Sequence, residues 1–219
     1  MEVDLRLYAL IDPAAAGGRP LTDLAQRVAG SATLVQLRDK HGSTRVMTEE
    51  ARALRAVLEP NGVPLLINDR VDVALAAEAD GVHIGPDDMA PSDARLLLGR
   101  AAILGLSVKT VEQAMAAPLD LLDYVAIGGV YDTTSKENTT APIGIDGLRT
   151  IVQAIRARKP NYPICAIAGI NSGNAADVIA AGADGVAVIS ALSLAPDPAR
   201  AAQNLLAVVD GALTRRGQA

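Results

Sequence analysis

Short apolar runs alternate with longer amphipathic stretches along the whole chain. The apolar runs fall at Leu5–Ile11, Thr33–Leu37, Pro64–Ile67, Gly81–Ile84, Ala102–Leu106, Asp123–Ile127, Ile164–Ile167 and Gly185–Ile189. Each is short and nearly all apolar, the pattern of a parallel strand buried on both faces. Between them, helix-like segments are expected near 21–29, 47–58, 71–78, 91–98, 110–116, 145–158, 172–181 and 197–213. Their starts carry capping signals: Thr22 before Asp23, Thr48 before Glu49, Ser92 before Asp93 and Thr110 before Glu112. Ala-Asp-Gly-Val occurs at 79–82 and again at 183–186, each time after an Ala-rich helix and at the opening of a strand. Gly81 and Gly185 are expected there to permit a tight helix-to-strand turn.

Eight strands alternating with eight helices predict an α/β fold of the (β/α)8 TIM-barrel type, a single domain over residues 1–219. An open, doubly wound sheet is the competing arrangement, because alternation alone does not prove closure. Composition narrows the picture further. Half the residues are hydrophobic, with no Phe or Trp, so the core is built from Ala, Val, Leu and Ile. A net charge of -5 without a basic run argues against nucleic-acid or anionic-membrane partners. A single cysteine, Cys165, excludes an internal disulfide and fits the reducing cytoplasm. The N-terminal MEVDLRLYALID reads as a first strand, not a signal peptide, and no apolar stretch is long enough for a transmembrane helix. Barrels of this size often associate, which makes a homo-oligomer possible.

In a barrel the chemistry belongs at the C-terminal strand ends, and polar residues gather there. The second strand ends in Gln36-Leu37-Arg38-Asp39-Lys40, and the third in Asn68-Asp69-Arg70. The fourth runs through His83 to Asp87-Asp88, the fifth ends in Ser107-Val108-Lys109, and the seventh and eighth in Ala168-Gly169 and Ile189-Ser190. The sixth opens an unusually long polar loop, GGVYDTTSKENTTAPIG, at 128–144. Period-two alternation puts Gln36 and Arg38 on one face, toward the barrel mouth. Arg38 suits a two-pronged phosphate contact and Lys40 a mobile charge. The competing reading is a solvated, self-neutralising Arg38-Asp39-Lys40 cluster. Asp69 and Asp88, two carboxylates without a Cys/His set, suit Mg2+, which takes only one or two protein carboxylates. Alternatively, Asp69 caps the helix that follows it. His83 is read as satisfying a local hydrogen bond, and Cys165 as core. Gly169 permits close backbone approach, and Ile189-Ser190 precedes a helix-like region where such barrels hold phosphate; ordinary turns are the alternative.

The stretches VQLRDK (35–40), INDRVDVAL (67–75), ADGVHIGPDDM (79–89), LGLSVKT (104–110), GGVYDTTSK (128–136), AIAGI (166–170) and GADGVAVISAL (182–192) resemble, in order, the thiamine-phosphate synthase family. The resemblance implies a Mg2+-dependent transferase of thiamine biosynthesis acting on two phosphorylated small molecules. One is 4-amino-2-methyl-5-hydroxymethylpyrimidine pyrophosphate; the other is a thiazole phosphate or its carboxy form. It implies that Gln36, Arg38, Lys40, Asn68 and Lys136 hold the pyrimidine pyrophosphate and that Ser107 reaches the pyrimidine or pyrophosphate. Arg38, Lys40, Ser107 and Lys136 are its candidate catalytic residues, and Asp69 and Asp88 its Mg2+ ligands. Thr133 and Ser135, with backbone at Gly169, Ile189 and Ser190, would bind the thiazole phosphate. Three positions depart from the family pattern: Pro86 replaces a Gln, Gly128-Gly129 replaces a Gly-Pro, and Ser135 replaces a Thr while keeping the hydroxyl.

Two other readings compete. The related thiazole tautomerase generally lacks the acidic pair and uses a His where Lys109 stands here. A non-catalytic phosphate-binding barrel would not be expected to retain Arg38, Lys40, Lys136 and both metal acids.

Overall fold

In the computed structural model, which describes residues 3–133 and 141–218, the apolar runs become eight parallel strands that close on themselves. The strands are β1 (Leu7–Ile11), β2 (Leu34–Leu37), β3 (Leu65–Asn68), β4 (Gly81–Ile84), β5 (Ile103–Val108), β6 (Tyr124–Ile127), β7 (Ile164–Ile167) and β8 (Gly185–Val188). Each pairs with the next, and β1 pairs with β8 through Leu7↔Val186 and Ala9↔Val188, so the sheet has no free edge. That closure excludes the open-sheet alternative.

Helices α1 (Leu21–Val28), α2 (Thr44–Leu58), α3 (Val71–Ala77), α4 (Pro91–Leu98), α5 (Val111–Ala116), α6 (Gly144–Arg158), α7 (Ala175–Ala180), α8 (Ser190–Ser193) and α9 (Pro198–Gln218) follow the strands. The short α8 lies between the last strand and the last long helix, where the sequence pattern shows only one helical segment. Of the expected caps, Thr110 accepts from Gln113 N at 3.2 Å as foreseen. Thr48 instead lies inside α2, whose cap is Ser43. Thr22 and Ser92 also lie inside helices; α4 opens on Pro91, whose missing N–H costs nothing at that position.

Period-two alternation sorts the strand residues into two cores. Leu7, Ala9, Val35, Leu37, Leu65 and Ile67 pack outward against the helices. Tyr8, Leu10, Leu34, Leu66, Tyr124, Ala126, Cys165 and Ala187 form a second cluster inside the barrel. The interior is filled, not a pore. Gly105 makes room there: a Cβ on it would lie 2.1 Å from Cζ of Tyr124.

The lower rim carries a repeated latch. The residue just before every even-numbered strand exchanges bonds with the first or second residue of the preceding strand. Leu65 N, Leu104 N and Ile164 N donate to the carboxylates of Asp80, Asp123 and Asp184 at 2.8, 2.7 and 3.0 Å, and Leu7 N donates to Thr33 Oγ1 at 3.0 Å. The glycines after Asp80 and Asp184 have a different role from the expected one. Neither Gly81 nor Gly185 has a positive φ. A Cβ would instead lie 1.9 Å from Ile103 O at Gly81 and 1.6 Å from Leu5 O at Gly185, so glycine is required by close backbone approach.

Candidate active site

At the opposite, C-terminal rim the βα loops enclose a cavity of about 1040 Å³. Of the site residues foreseen from sequence, Gln36, Arg38, Lys40, Asn68, Asp69, Asp88, Ser107, Thr133, Gly169, Ile189 and Ser190 all line it. Ser135 and Lys136 lie outside the described residues. The long loop that carries them is pinched at its base, where Ile143 N donates to Gly129 O at 2.8 Å and Gly144 N to Val130 O at 3.1 Å.

One wall is cationic. The three charged residues after β2 go three separate ways, which rules out the self-neutralising cluster. Arg38 pairs with the buried carboxylate of Asp12, Lys40 pairs with Asp69, and Asp39 turns back to accept from His41 N and Gly42 N, both at 2.8 Å. Asp12 ends β1 and also accepts from Ala14 N at 2.9 Å, so both of its oxygens are used and the Arg38 guanidinium is held in place. Asp12 was not singled out in sequence, although an Asp closing an apolar run was the signal that selected its neighbours.

The acidic pair sits beside this wall. Asp69 has φ 63°, a left-handed conformation that is costly for a non-glycine residue. It does not cap α3, whose N-cap residue is Arg70. Its carboxyl pKa is raised from the usual value by burial and then by the neighbouring Asp88 carboxyl, with Lys40 opposing. Asp88 is oriented by Gly85 N, which donates to its Oδ2 at 2.7 Å. Among the described residues no group of three or more His, Cys, Asp or Glu could hold a metal. Two crowded carboxylates opening to a cavity are nevertheless the chemistry of a divalent, oxygen-seeking ion, because such an ion relieves their mutual repulsion. The donor set therefore fits Mg2+.

The floor is a buried polar chain that sequence reading largely missed. Tyr124 donates its hydroxyl to Tyr8 Oη at 3.0 Å, and Gln36 Nε2 donates to the same oxygen. His83 Nδ1 lies 2.8 Å from Tyr124 Oη, and its Nε2 lies 2.8 Å from Ser107 Oγ. The imidazole stacks on the Tyr124 ring with centroids 5.5 Å apart. With Tyr124 donating to Tyr8, its oxygen receives the His83 Nδ1–H, and Nε2 accepts from the Ser107 hydroxyl. Burial pushes the Tyr8 and Tyr124 hydroxyls above their usual pKa, which keeps both neutral. Gln36 Oε1 is buried and has no hydrogen-bond partner among the described residues. Aromatic hydroxyls inside an apolar run give no polar signal in sequence, so the pattern marks Tyr8 and Tyr124 only as strand residues.

The far side is backbone. Ala168 and Gly169 both have positive φ, at 97° and 66°. A Cβ on Gly169 would lie 2.4 Å from Asp132 O, so this glycine lets the loops after β6 and β7 pack closely. Gly129 has φ 73°, which a proline, with φ locked near −65°, cannot adopt. The Gly-Gly departure therefore allows a backbone path that Gly-Pro does not. The N-terminus of α8 lines the cavity through Ile189 and Ser190, and Arg19 binds the carbonyls of Ser193 and Ala195 at its other end.

Comparison with known proteins assigns this architecture. The family model described as thiamine monophosphate synthase matches residues 7–192. The chain belongs to that family. Thiamine-phosphate synthase of Agrobacterium fabrum is 50% identical over 216 residues, covering 98% of each chain. That of Chloroflexus aurantiacus is 49% identical over 208 residues, covering 94% of each. The solved thiamine phosphate pyrophosphorylase of Pyrococcus furiosus superposes with a TM-score of 0.83 at 35% identity, covering 97% of this chain and 98% of that one. The thiamine monophosphate synthase assignment makes the chain an enzyme of the transferase class. Among its described residues, no helix is long and apolar enough to cross a membrane.

Proposed function

We propose that the chain, one barrel domain over 1–219, joins 4-amino-2-methyl-5-hydroxymethylpyrimidine pyrophosphate to a thiazole phosphate or its carboxy form in the cytoplasm. The bond between the pyrimidine methylene carbon and the pyrophosphate oxygen breaks, and its electron pair leaves with pyrophosphate. The thiazole nitrogen lone pair forms the new C–N bond, so no general base is required.

The observation that carries this reading is the convergence of two unlike surfaces in one cavity. A cationic wall of Arg38 and Lys40 adjoins the Asp69–Asp88 pair, and a neutral polar floor lies beside them. On the floor, Tyr8 already accepts two hydrogen bonds, so its own proton is left for a third partner, while Gln36 Oε1 awaits a donor. A donor beside an acceptor is complementary to an aminopyrimidine edge, which offers a ring nitrogen beside an amino group. Arg38, fixed by Asp12, binds the pyrophosphate oxygens without first having to be ordered. Lys40, which is more exposed, exchanges Asp69 for phosphate. Asn68 and Ser107 orient the substrate between wall and floor, and Lys136 adds a further cation for the departing charge. Thr133, Ser135, Gly169, Ile189 and Ser190 hold the thiazole phosphate.

Asp69 and Asp88 would hold Mg2+, which when bound supplies charge neutralisation to the leaving pyrophosphate. No nucleic acid or membrane partner enters the scheme.

The test is direct incubation of the purified protein with both phosphorylated halves, with and without Mg2+. Thiamine phosphate and pyrophosphate in equal amounts, formed only with the metal, are expected. Folded protein that yields no product, or that only isomerises the thiazole, overturns the reading.

A further inference from the structure

The outer helical ring is not uniformly polar. Of seven exposed large hydrophobic residues among those described, five fall between positions 75 and 115: Leu75, Met89, Leu96, Leu97 and Met115. Leu75, Leu96, Leu97 and Met115 sit on the consecutive helices α3, α4 and α5. Leu96 is 82% exposed, more than any of the others, and Leu97 is 53% exposed. Ala94, fully buried, and Leu98 already supply the core contact of α4, so its outer leucines do nothing for the fold of one chain. Exposed apolar side chains grouped this way mark an interaction surface.

Charge identifies the occupant. Asp93 lies exposed in the first turn of α4, and Arg100 lies exposed just past its C-terminus. Neither side chain has a hydrogen bond or ion pair among the described residues, whereas Arg95 on the same helix is fully engaged with Leu121 O, Gly99 O, Ala102 O and Asp123. Asp93 and Arg100 thus bracket the two exposed leucines in the order negative, apolar, apolar, positive, the last just beyond the helix end. A two-fold axis through the leucines lays Asp93 over Arg100 of a second copy and Arg100 over its Asp93. That self-complementarity is the requirement of an isologous dimer. A lipid surface is a poor match, because it would call for an excess of Lys and Arg at the edges.

We propose that α4, flanked by α3 and α5, forms the centre of a two-fold homodimer of this chain. Leu96 and Leu97 pack against their symmetry mates, and the Asp93–Arg100 pairs close both ends.

Sedimentation equilibrium on the purified protein tests this, because the charge arrangement makes an unusual prediction. D93R and R100D should each weaken the dimer about tenfold or more, since each places like charges opposite one another at both ends. An equimolar mixture of D93R and R100D should recover a dimer of near wild-type affinity, now a heterodimer with opposite charges facing. L96E should sediment as one chain while melting normally in dilute solution, because Leu96 makes no core contact. A wild-type protein that stays a single chain up to about 100 μM overturns the proposal, since no specific interface of standard size would then exist. So does a dimer that survives L96E, or a D93R and R100D mixture that remains monomeric.

Discussion

Replacing Asp184 by alanine removes the most heavily used of the rim latches. Its Oδ2 accepts from Ile164 N at 3.0 Å, and its Oδ1 accepts from Arg156 Nη2 and Arg216 Nη2, each at 2.7 Å. Ile164 is fully buried, so its backbone N–H would be left without an acceptor, at a cost of about 1–3 kcal/mol. The two ion pairs involve side chains about one-third exposed, which limits each to roughly 0.2–1 kcal/mol. The sum is about 1.5–5 kcal/mol, or a fall in Tm of about 3–20 °C for a chain of this length. Asp184→Asn keeps an oxygen for Ile164 N and should lose only about 1 kcal/mol. Asp80→Ala breaks the equivalent bond to Leu65 N, which is just as buried, but has no arginine attached, so it should cost about 1–3 kcal/mol, less than Asp184→Ala by the two ion pairs. Urea and thermal unfolding followed by far-UV circular dichroism give the order. Steady-state turnover at 25 °C reports on the other rim and should stay within about twofold of wild type, because Asp184 and Ser190 lie at opposite ends of β8. If Asp184→Ala is no more costly than Asp80→Ala, the latch argument fails. If the folded Asp184→Ala protein loses its activity, the division between a structural rim and a chemical rim fails.

At the chemical rim, Asp88→Asn keeps an acceptor for Gly85 N. It should lower Mg2+-dependent turnover by about 100-fold or more while unfolding stability moves by less than about 0.5 kcal/mol. Gln36→Leu deletes the buried acceptor on the floor and should raise KM for the pyrimidine substrate about 10–100-fold in initial-rate assays, with a much smaller effect on the thiazole KM. Gly105→Ala places a methyl against the Tyr124 ring; denaturant titration should show a loss of about 1–3 kcal/mol, accompanied by lower activity as the Tyr124 hydroxyl is pushed off His83.

The alternation of apolar runs with amphipathic segments determined the strands, the helices and the rim on which polar residues gather, because burial and periodicity depend on neighbours two to four positions away. Gln36, Arg38, Asp69 and Asp88 are legible for the same reason: each lies at, or within a few residues of, the C-terminal end of an apolar run. Only the tertiary structure decided which groups meet. Asp12 reaches Arg38 across 26 residues and Tyr124 reaches Tyr8 across 116, and neither pairing leaves a trace in local pattern. Closure through Leu7↔Val186 is likewise a property of the whole sheet. The glycines that open β4 and β8 are the clearest case. Ala-Asp-Gly-Val shows in sequence that Gly81 and Gly185 matter, yet a turn and a close approach require the same residue. Which of the two applies depends on Ile103 O and Leu5 O, atoms that only the closed barrel brings within reach.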